Sequence, residues 1–476
     1  MFGLETGVFV LLAICLLAAC AFEFINGFHD TANAVATVIY TNSLQPTQAV
    51  IWSGIWNFIG VVTGGVGVGM SIVNLLPVEL LIDQNIYHSI AMVLALLLSA
   101  IIWNFGTWYF GLPASSSHTL IGAILGVGLG YALLPDNTTG VAAVNWGEAE
   151  KVFLALFLSP LIGFGLAVVL MFVLRRSLNK DMRKQLFDEP HPGQAPPLWV
   201  RGLLITTCTL VSFFHGRNDG QKGIGLIMLI LIGILPAYFA INTRLDIKNL
   251  QPDLTTVQQK VAMIDTKLLS KTDLDRIQKI NASIASLQPA VTTGNYPKGG
   301  GMDIRKALLT ISSNTKQLIG SEDVKLSESD KSALRKAATI EEEGLRKYTD
   351  HAPFWAILMI SLSLGFGTMI GWKRIVVTVG EKIGKSHLTY AQGASAELVA
   401  ATTIGLASGL IPGFKAPVST THALSSGIAG AMVASKGIKN LQAKTVQSIA
   451  LAWVLTLPVA ILLSASLFLI FRLILG

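Results

Sequence analysis

A series of long apolar runs constrains this 476-residue chain more than any other feature. The runs occupy about 4–25, 47–72, 87–111, 119–134, 152–174, 202–241, 354–372, 388–411, 423–435 and 446–475. Many are near the roughly 20 residues a helix needs to cross hydrocarbon. Strand-type alternation is absent, which excludes a barrel and predicts an all-α polytopic membrane protein. Only 13% of residues are charged, against roughly 25% in a soluble domain. The N-terminal stretch "MFGLETGVFVLLAICLL" has no basic residue and no small-residue cleavage site, so it reads as a first transmembrane helix. Cys15, Cys20 and Cys208 fall in apolar runs and imply neither a disulfide framework nor metal-ligand spacing. The net charge of +7 sits in loops between runs, a pattern that reports orientation rather than nucleic-acid binding.

Two motifs occur twice. "LPASSSH" (Leu112 to His118) lies over "APVSTTH" (Ala416 to His422), and "NGFHDTANAVA" (Asn26 to Ala36) over "HGRNDGQKGIG" (His215 to Gly225). The loops corresponding between the halves differ in charge. Loops 73–85 and 135–150 hold acids and no Lys or Arg, whereas their counterparts carry Lys373, Arg374, Lys382 and Lys385, then Lys436, Lys439 and Lys444. Equivalent loops on opposite sides indicate an inverted-topology repeat. The expected organisation is a first transmembrane repeat at 1–174, a cytoplasmic linker at 175–200, the start of the second repeat at 201–241, a helical insertion at 242–351 and the rest of the second repeat at 352–476. The insertion shows helical apolar spacing at Val257, Val261, Ile264 and Leu268, and again at Ile277, Ile280, Ile284 and Leu287. The insertion and both termini are expected outside the cytoplasm.

Each motif places Gly, Pro, Asn, Asp or Ser inside an apolar stretch, which predicts broken helices and re-entrant hairpins lining a cavity. Helix N-termini favour anions. Pro113 and Pro417 suit the first turn of a half-helix. Ser115, Ser116, Ser117, Ser419, Thr420 and Thr421 then add hydroxyl donors around a tetrahedral oxyanion. Asp30 and Asp219, with Asn26, Asn33 and Asn218, offer oxygen ligands for a hard cation. Glu23 and Glu397 are further cation or proton sites, since a carboxylate at membrane depth suggests an ion pathway. His29 and His215 read either as ligands or as packing hydrogen bonders. His118 and His422 read as residues that orient the serine turns. The glycines of "GGVGVG" (Gly64 to Gly69) read as close helix packing.

On these residues the chain resembles the inorganic phosphate transporter (PiT) family, whose paired motifs match "NGFHDTANA", "LPASSSH", "HGRNDGQKG" and "APVSTTH". The insertion and "GQKGIGL" are most similar to the Gram-negative low-affinity permeases of that family. The resemblance implies phosphate uptake across a bacterial inner membrane, with arsenate as a mimic, by symport with a proton or sodium, or of a divalent metal–phosphate complex. It implies a homodimer in the lipid bilayer, alternating access and no cofactor. Arg217 and Lys222 depart from the family pattern, standing where a small residue and an asparagine are usual. The second half would then supply positive charge and fewer cation ligands. The alternatives are a carrier of another oxyanion such as sulfate, and a membrane receptor. A hydrolase would need a separated nucleophile and base, which the motifs do not provide. No P-loop is present for ATP-driven transport.

Overall fold

The computed structural model describes residues 4–73, 85–135, 146–190, 194–296, 300–340, 343–410 and 418–475. Among them no strand forms, and one isolated bridge joins Gly384 to Leu441. In chain order the first helices are α1 (Thr6–Asp30), α2 (Ala32–Tyr40), α3 (Pro46–Thr63), α4 (Gly67–Val73), α5 (Ile86–Tyr109), α6 (Ser116–Ala132), α7 (Trp146–Ser177), α8 (Lys180–Phe187) and α9 (Leu198–Ile234). The insertion holds α10 (Gln251–Ala262), α11 (Lys271–Thr293), α12 (Gly301–Ile319) and α13 (Glu328–Leu334). The chain returns through α14 (Phe354–Met369), α15 (Lys373–Val377), α16 (Tyr390–Gly405), α17 (Thr420–Lys436) and α18 (Ala443–Leu475). It divides into two compact units, Met1–Ile227 with Phe354–Gly476, and Met228–Pro353.

Among the described residues five helical segments are long and apolar enough to cross a membrane: Thr6–Tyr40, Ile86–Tyr109, Phe157–Ser177, Leu198–Ile234 and Ala443–Leu475. A sixth candidate is Phe354–Met369 with Lys373–Lys382, bent by 55°. Phe157, Leu161, Phe172 and Val173 of α7, with Val454, Leu462 and Leu473 of α18, stand exposed along these helices, as a lipid-facing surface requires. Helix association in lipid relies on close backbone approach at small residues. A Cβ on Gly126 of α6 would lie 2.3 Å from the Ile461 carbonyl oxygen of α18. A Cβ on Gly430 of α17 would lie 2.5 Å from that of Phe164 on α7. Gly126 and Gly430 stand at corresponding places after the two Pro-Ser motifs. The pairing is therefore reciprocal: α6 packs on α18, and α17 packs on α7.

The helix breaks differ from expectation. α9 runs unbroken through His215–Gly225. At the first Asp motif only Thr31 separates α1 from α2, and its φ of −51° and ψ of −38° remain helical. The glycines that suggested breaks serve packing instead. A Cβ on Gly216 would lie 2.1 Å from the Asn57 carbonyl oxygen, and one on Gly69 the same distance from that of Gln221. α3 and α4 thus lie directly against α9, as the packing reading of "GGVGVG" anticipated. Pro113 precedes the first turn of α6 rather than entering it, because Ser115 is the N-cap. Pro417 lies outside the described residues, as does most of loops 73–85 and 135–150.

The second unit has a core of its own. Leu254 and Val257 of α10, Ile280, Ile284 and Leu287 of α11, and Ile304, Leu308 and Ile311 of α12 are buried together with Tyr348. Ser270 caps α11 by accepting from the Asp273 amide, and Gly294 ends it at a φ of +75°. Arg305 is buried and donates through Nη1 to the carbonyls of Ala240 (3.0 Å) and Thr349 (2.9 Å). Burial pushes its guanidinium down to about 10.

Candidate functional site

Two helices begin side by side inside the first unit. At α6, Ser115 accepts a hydrogen bond from the His118 amide at 3.2 Å; at α17, Ser419 accepts from the His422 amide at 3.1 Å. Each serine satisfies the third amide of its helix. The first two amides, at Ser116 and Ser117 and at Thr420 and Thr421, have no carbonyl one turn earlier within their helix. The Ser117 hydroxyl donates to the carbonyl of Val418, 3.1 Å away, which ties one start to the other. The rings of His118 and His422 stack at 4.5 Å, and His422 stacks on Trp453 at 3.9 Å. The two histidines therefore touch the serine turns through backbone amides, while their rings hold the helix starts together.

The carboxylates of α1 and α9 meet the same place. Asp30 Oδ1 accepts from Thr421 (2.5 Å) and from Asn33 (3.1 Å), and Oδ2 accepts from Thr420 (3.2 Å). Asn33 also reaches the Thr421 hydroxyl at 3.4 Å. His215 Nε2 lies 3.5 Å from Asp30 and 3.3 Å from Asp219. Its other nitrogen faces Asn57 Oδ1 at 2.8 Å, and the Asn57 amide donates to Thr368 at 3.1 Å. That chain of donors makes Nδ1 the protonated nitrogen, so Nε2 must meet two carboxylates through a proton or a cation. Asp30, His215 and Asp219 offer ligand atoms within 4.8 Å of one another. Of the two histidine readings, ligand and hydrogen bonder, both are open to His215, whose Nε2 faces the two carboxylates while Nδ1 bonds Asn57. His29 bonds through Nε2 to Thr107 at 3.2 Å, and its Nδ1 lies 3.7 Å from Asp30.

Lys222, read from the sequence as a departure that adds positive charge to the second half, makes its contacts inside this cluster. Its ammonium donates to Asp219 Oδ1 at 2.5 Å, to Ser117 Oγ at 2.5 Å and to the Val418 carbonyl at 3.3 Å. None of the residues of the Pro-Ser turns, the Asp motifs or Lys222 named in these contacts is more than 8% exposed. Ser116 Oγ is buried with no hydrogen-bond partner among the described residues. Asn218 is also buried on α9.

The remaining candidates lie around this cluster. Asn26 donates to Glu23 at 3.2 Å, and Glu23 lies against Gly223, where a Cβ would come within 2.6 Å of its carboxyl carbon. Glu397 on α16 accepts from Thr207 of α9 at 2.5 Å, and no hydrogen bond or ion pair among the described residues links it to Asp30 or Asp219. Arg217 points away, donating at 3.4 Å to the carbonyls of Ser408 and Thr63. Gln221 is a residue the motif reading missed. It donates to the Gly64 carbonyl and accepts from the Val68 amide, both at 2.8 Å, satisfying the backbone between α3 and α4. The signal was available, because irregular backbone inside a membrane must find partners.

The arrangement thus combines helix-start amides with no carbonyl one turn earlier, and a Ser116 hydroxyl without a partner among the described residues, which suit an oxyanion, with carboxylates that suit a cation. The profile of the phosphate transporter family matches residues 26–464. The chain is 42% identical to the low-affinity inorganic phosphate transporter PitB of Escherichia coli (strain K12), over 98% of this chain and 97% of that protein. It is likewise 42% identical to the low-affinity inorganic phosphate transporter of Buchnera aphidicola subsp. Acyrthosiphon pisum (strain APS), over 96% of each. Among solved structures, one described as the sodium-dependent phosphate transporter superposes with a TM-score of 0.55 at 20% identity, covering 98% of this chain and all of that one. The fold is shared with that structure. Its motifs, its helical architecture and its match to these relatives together make this chain a multi-pass membrane protein of the phosphate transporter family.

Proposed function

We propose that this chain is a secondary active transporter that takes up inorganic phosphate together with a cation. The observation that carries the reading is the meeting of two serine-capped helix starts with the Asp30–His215–Asp219 cluster, all buried in one unit. Phosphate would lie against Ser116, Ser117, Thr420 and Thr421, with Ser115 and Ser419 holding the helix starts. Asp30, Asn33, Asn26, Asp219 and Asn218 would carry the coupling cation, and His215 would hold a proton or a metal that travels with phosphate. Glu23 and Glu397 would serve proton entry or exit. The resemblance of the paired networks supports two inverted repeats. Asp30, Asn33 and Thr421 on one side correspond to Asp219, Lys222 and Ser117 on the other, at the same spacing within each motif. Orientation with both termini and 242–351 outside the cytoplasm, a homodimer, and an inner-membrane location complete the proposal.

The test is radiolabelled phosphate uptake into proteoliposomes, with sodium, pH and divalent metal varied one at a time. Accumulation that follows one imposed cation gradient identifies the coupling ion. Uptake competed by sulfate but not by arsenate would redirect the reading to a sulfate carrier, and no gradient-dependent uptake would reject it.

A further inference from the structure

The two hydrogen-bond networks differ at one position, and the difference is a charge. In the first, Asn33 bridges Asp30 and Thr421 through its neutral amide. In the second, Lys222 bridges Asp219 and Ser117 through an ammonium. The Lys222 Nζ has a carboxylate, a hydroxyl and a backbone carbonyl around it, at 2.5, 2.5 and 3.3 Å. This is the all-oxygen set that binds a hard monovalent cation. The lysine rises from the same helix as Asp219, three residues on, and its side chain is only 3% exposed, so its amino group is covalently held at that carboxylate and cannot diffuse away.

We propose that Lys222 is a tethered cation, permanently filling at Asp219 the place that a dissociable monovalent ion would take if an asparagine stood there as it does at Asn33. This rests on the reading of the cluster as a cation-coupled phosphate site and deepens it. The consequence is that the second half contributes no exchangeable monovalent ion, and each transport cycle moves one fewer such ion than a symmetrical pair of sites would. Lys222 also keeps Ser117 and Val418, and so both helix starts, in register with Asp219 without waiting for an ion to bind.

The experiment is direct binding of radioactive sodium to purified full-length protein, run beside phosphate uptake in sodium or choline medium. Lys222→Asn should gain one sodium site per chain over the wild type. Its uptake should fall about 100-fold in choline, because one partner of a buried pair has been removed, and recover in sodium. Lys222→Arg, which keeps the charge, should gain no sodium site. Asp219→Asn with Lys222→Asn removes the carboxylate as well and should also gain none. A folded Lys222→Asn that binds no extra sodium overturns the proposal, as does a sodium site that survives in the double variant. Sodium binding is read without phosphate. A wild type that fails to take up phosphate would therefore reject the transport reading, while the binding comparison still decides the role of Lys222.

Discussion

Asp30→Asn separates the structural role of this carboxylate from its charge. Oδ1 receives Thr421 and Asn33, and Oδ2 receives Thr420. An asparagine can place its carbonyl at Oδ1 and keep both of those bonds. Its amide then faces the Thr420 hydroxyl, which can rotate to accept. Three bonds to a charged acceptor become bonds to a neutral group, a loss of roughly 1 kcal/mol at each retained contact, and this is offset because a carboxylate charge no longer has to be kept out of water. The cation loses much more. A unit charge about 4 Å away is worth about 4 kcal/mol at an effective dielectric constant of about 20, or roughly a thousandfold in affinity. The variant should insert and stay folded, with a melting temperature in detergent close to that of the wild type, yet accumulate no phosphate at matched expression. Accumulation equal to that of the wild type would refute the reasoning, since the carboxylate charge would then play no part in coupling.

The other expected outcomes follow from the same geometry. Arg217→Ala should leave phosphate accumulation working, with altered phosphate affinity at most, because among the described residues the guanidinium bonds to the Ser408 and Thr63 carbonyls and not to the buried cluster; kinetic constants in whole cells check this. Gly126→Ala should destabilise the fold by roughly 1–3 kcal/mol, because the new methyl meets backbone at Ile461, and thermal melts of the purified protein measure it. In the insertion, burial pushes the His351 imidazole down to about 4, with Arg305 acting in the same sense. As the pH falls from the ordinary histidine value of 6.5 towards 4, the unfolded form takes up a proton that the folded form refuses. Hydrogen exchange in 242–351 should therefore quicken over that window, and His351→Asn should flatten the response. A cysteine at Lys279, which is exposed, should react with an impermeant reagent on intact cells; protection until the membrane is broken would invert the proposed topology.

The apolar runs and the paired motifs carried the membrane fold and most of the buried cluster in plain view. A helix start with Ser115 or Ser419 ahead of it is a local event, encoded within four residues, so the sequence brought both starts to within about a turn, although it gave Pro113 and not Ser116 to the first turn of α6. The continuity of α9 was harder to see, because Gly216, Gly220 and Gly225 read equally as breakers or as contact points. Only the presence of α3 and α4 against them decides between the two. Lys222 was noticed as a departure in pattern, and its three-residue spacing from Asp219 on a helix already allowed an ion pair. Its reach to Ser117, 105 residues away, depends on how the halves meet. Glu397 was chosen for being a carboxylate in an apolar run. That criterion gives no hint that its partner is Thr207.

The exchanged packing of α6 on α18 and of α17 on α7 bears on which parts of the molecule travel together. Gly126 and Gly430 bring backbone against backbone at these two seams, and Trp453 of α18 donates to the Pro113 carbonyl just ahead of α6. A rocking motion that swung residues 1–174 as one block would shear both seams at once. If the transport cycle proceeds by rocking, each moving body should therefore be a mosaic, made of a helix that opens at a serine turn and the long closing helix from the other end of the chain. Severing the chain in the linker at 175–200 would leave two fragments that each lack the surface against which their own serine-capped helix is built. Neither fragment should hold its serine turn in place until the other is supplied.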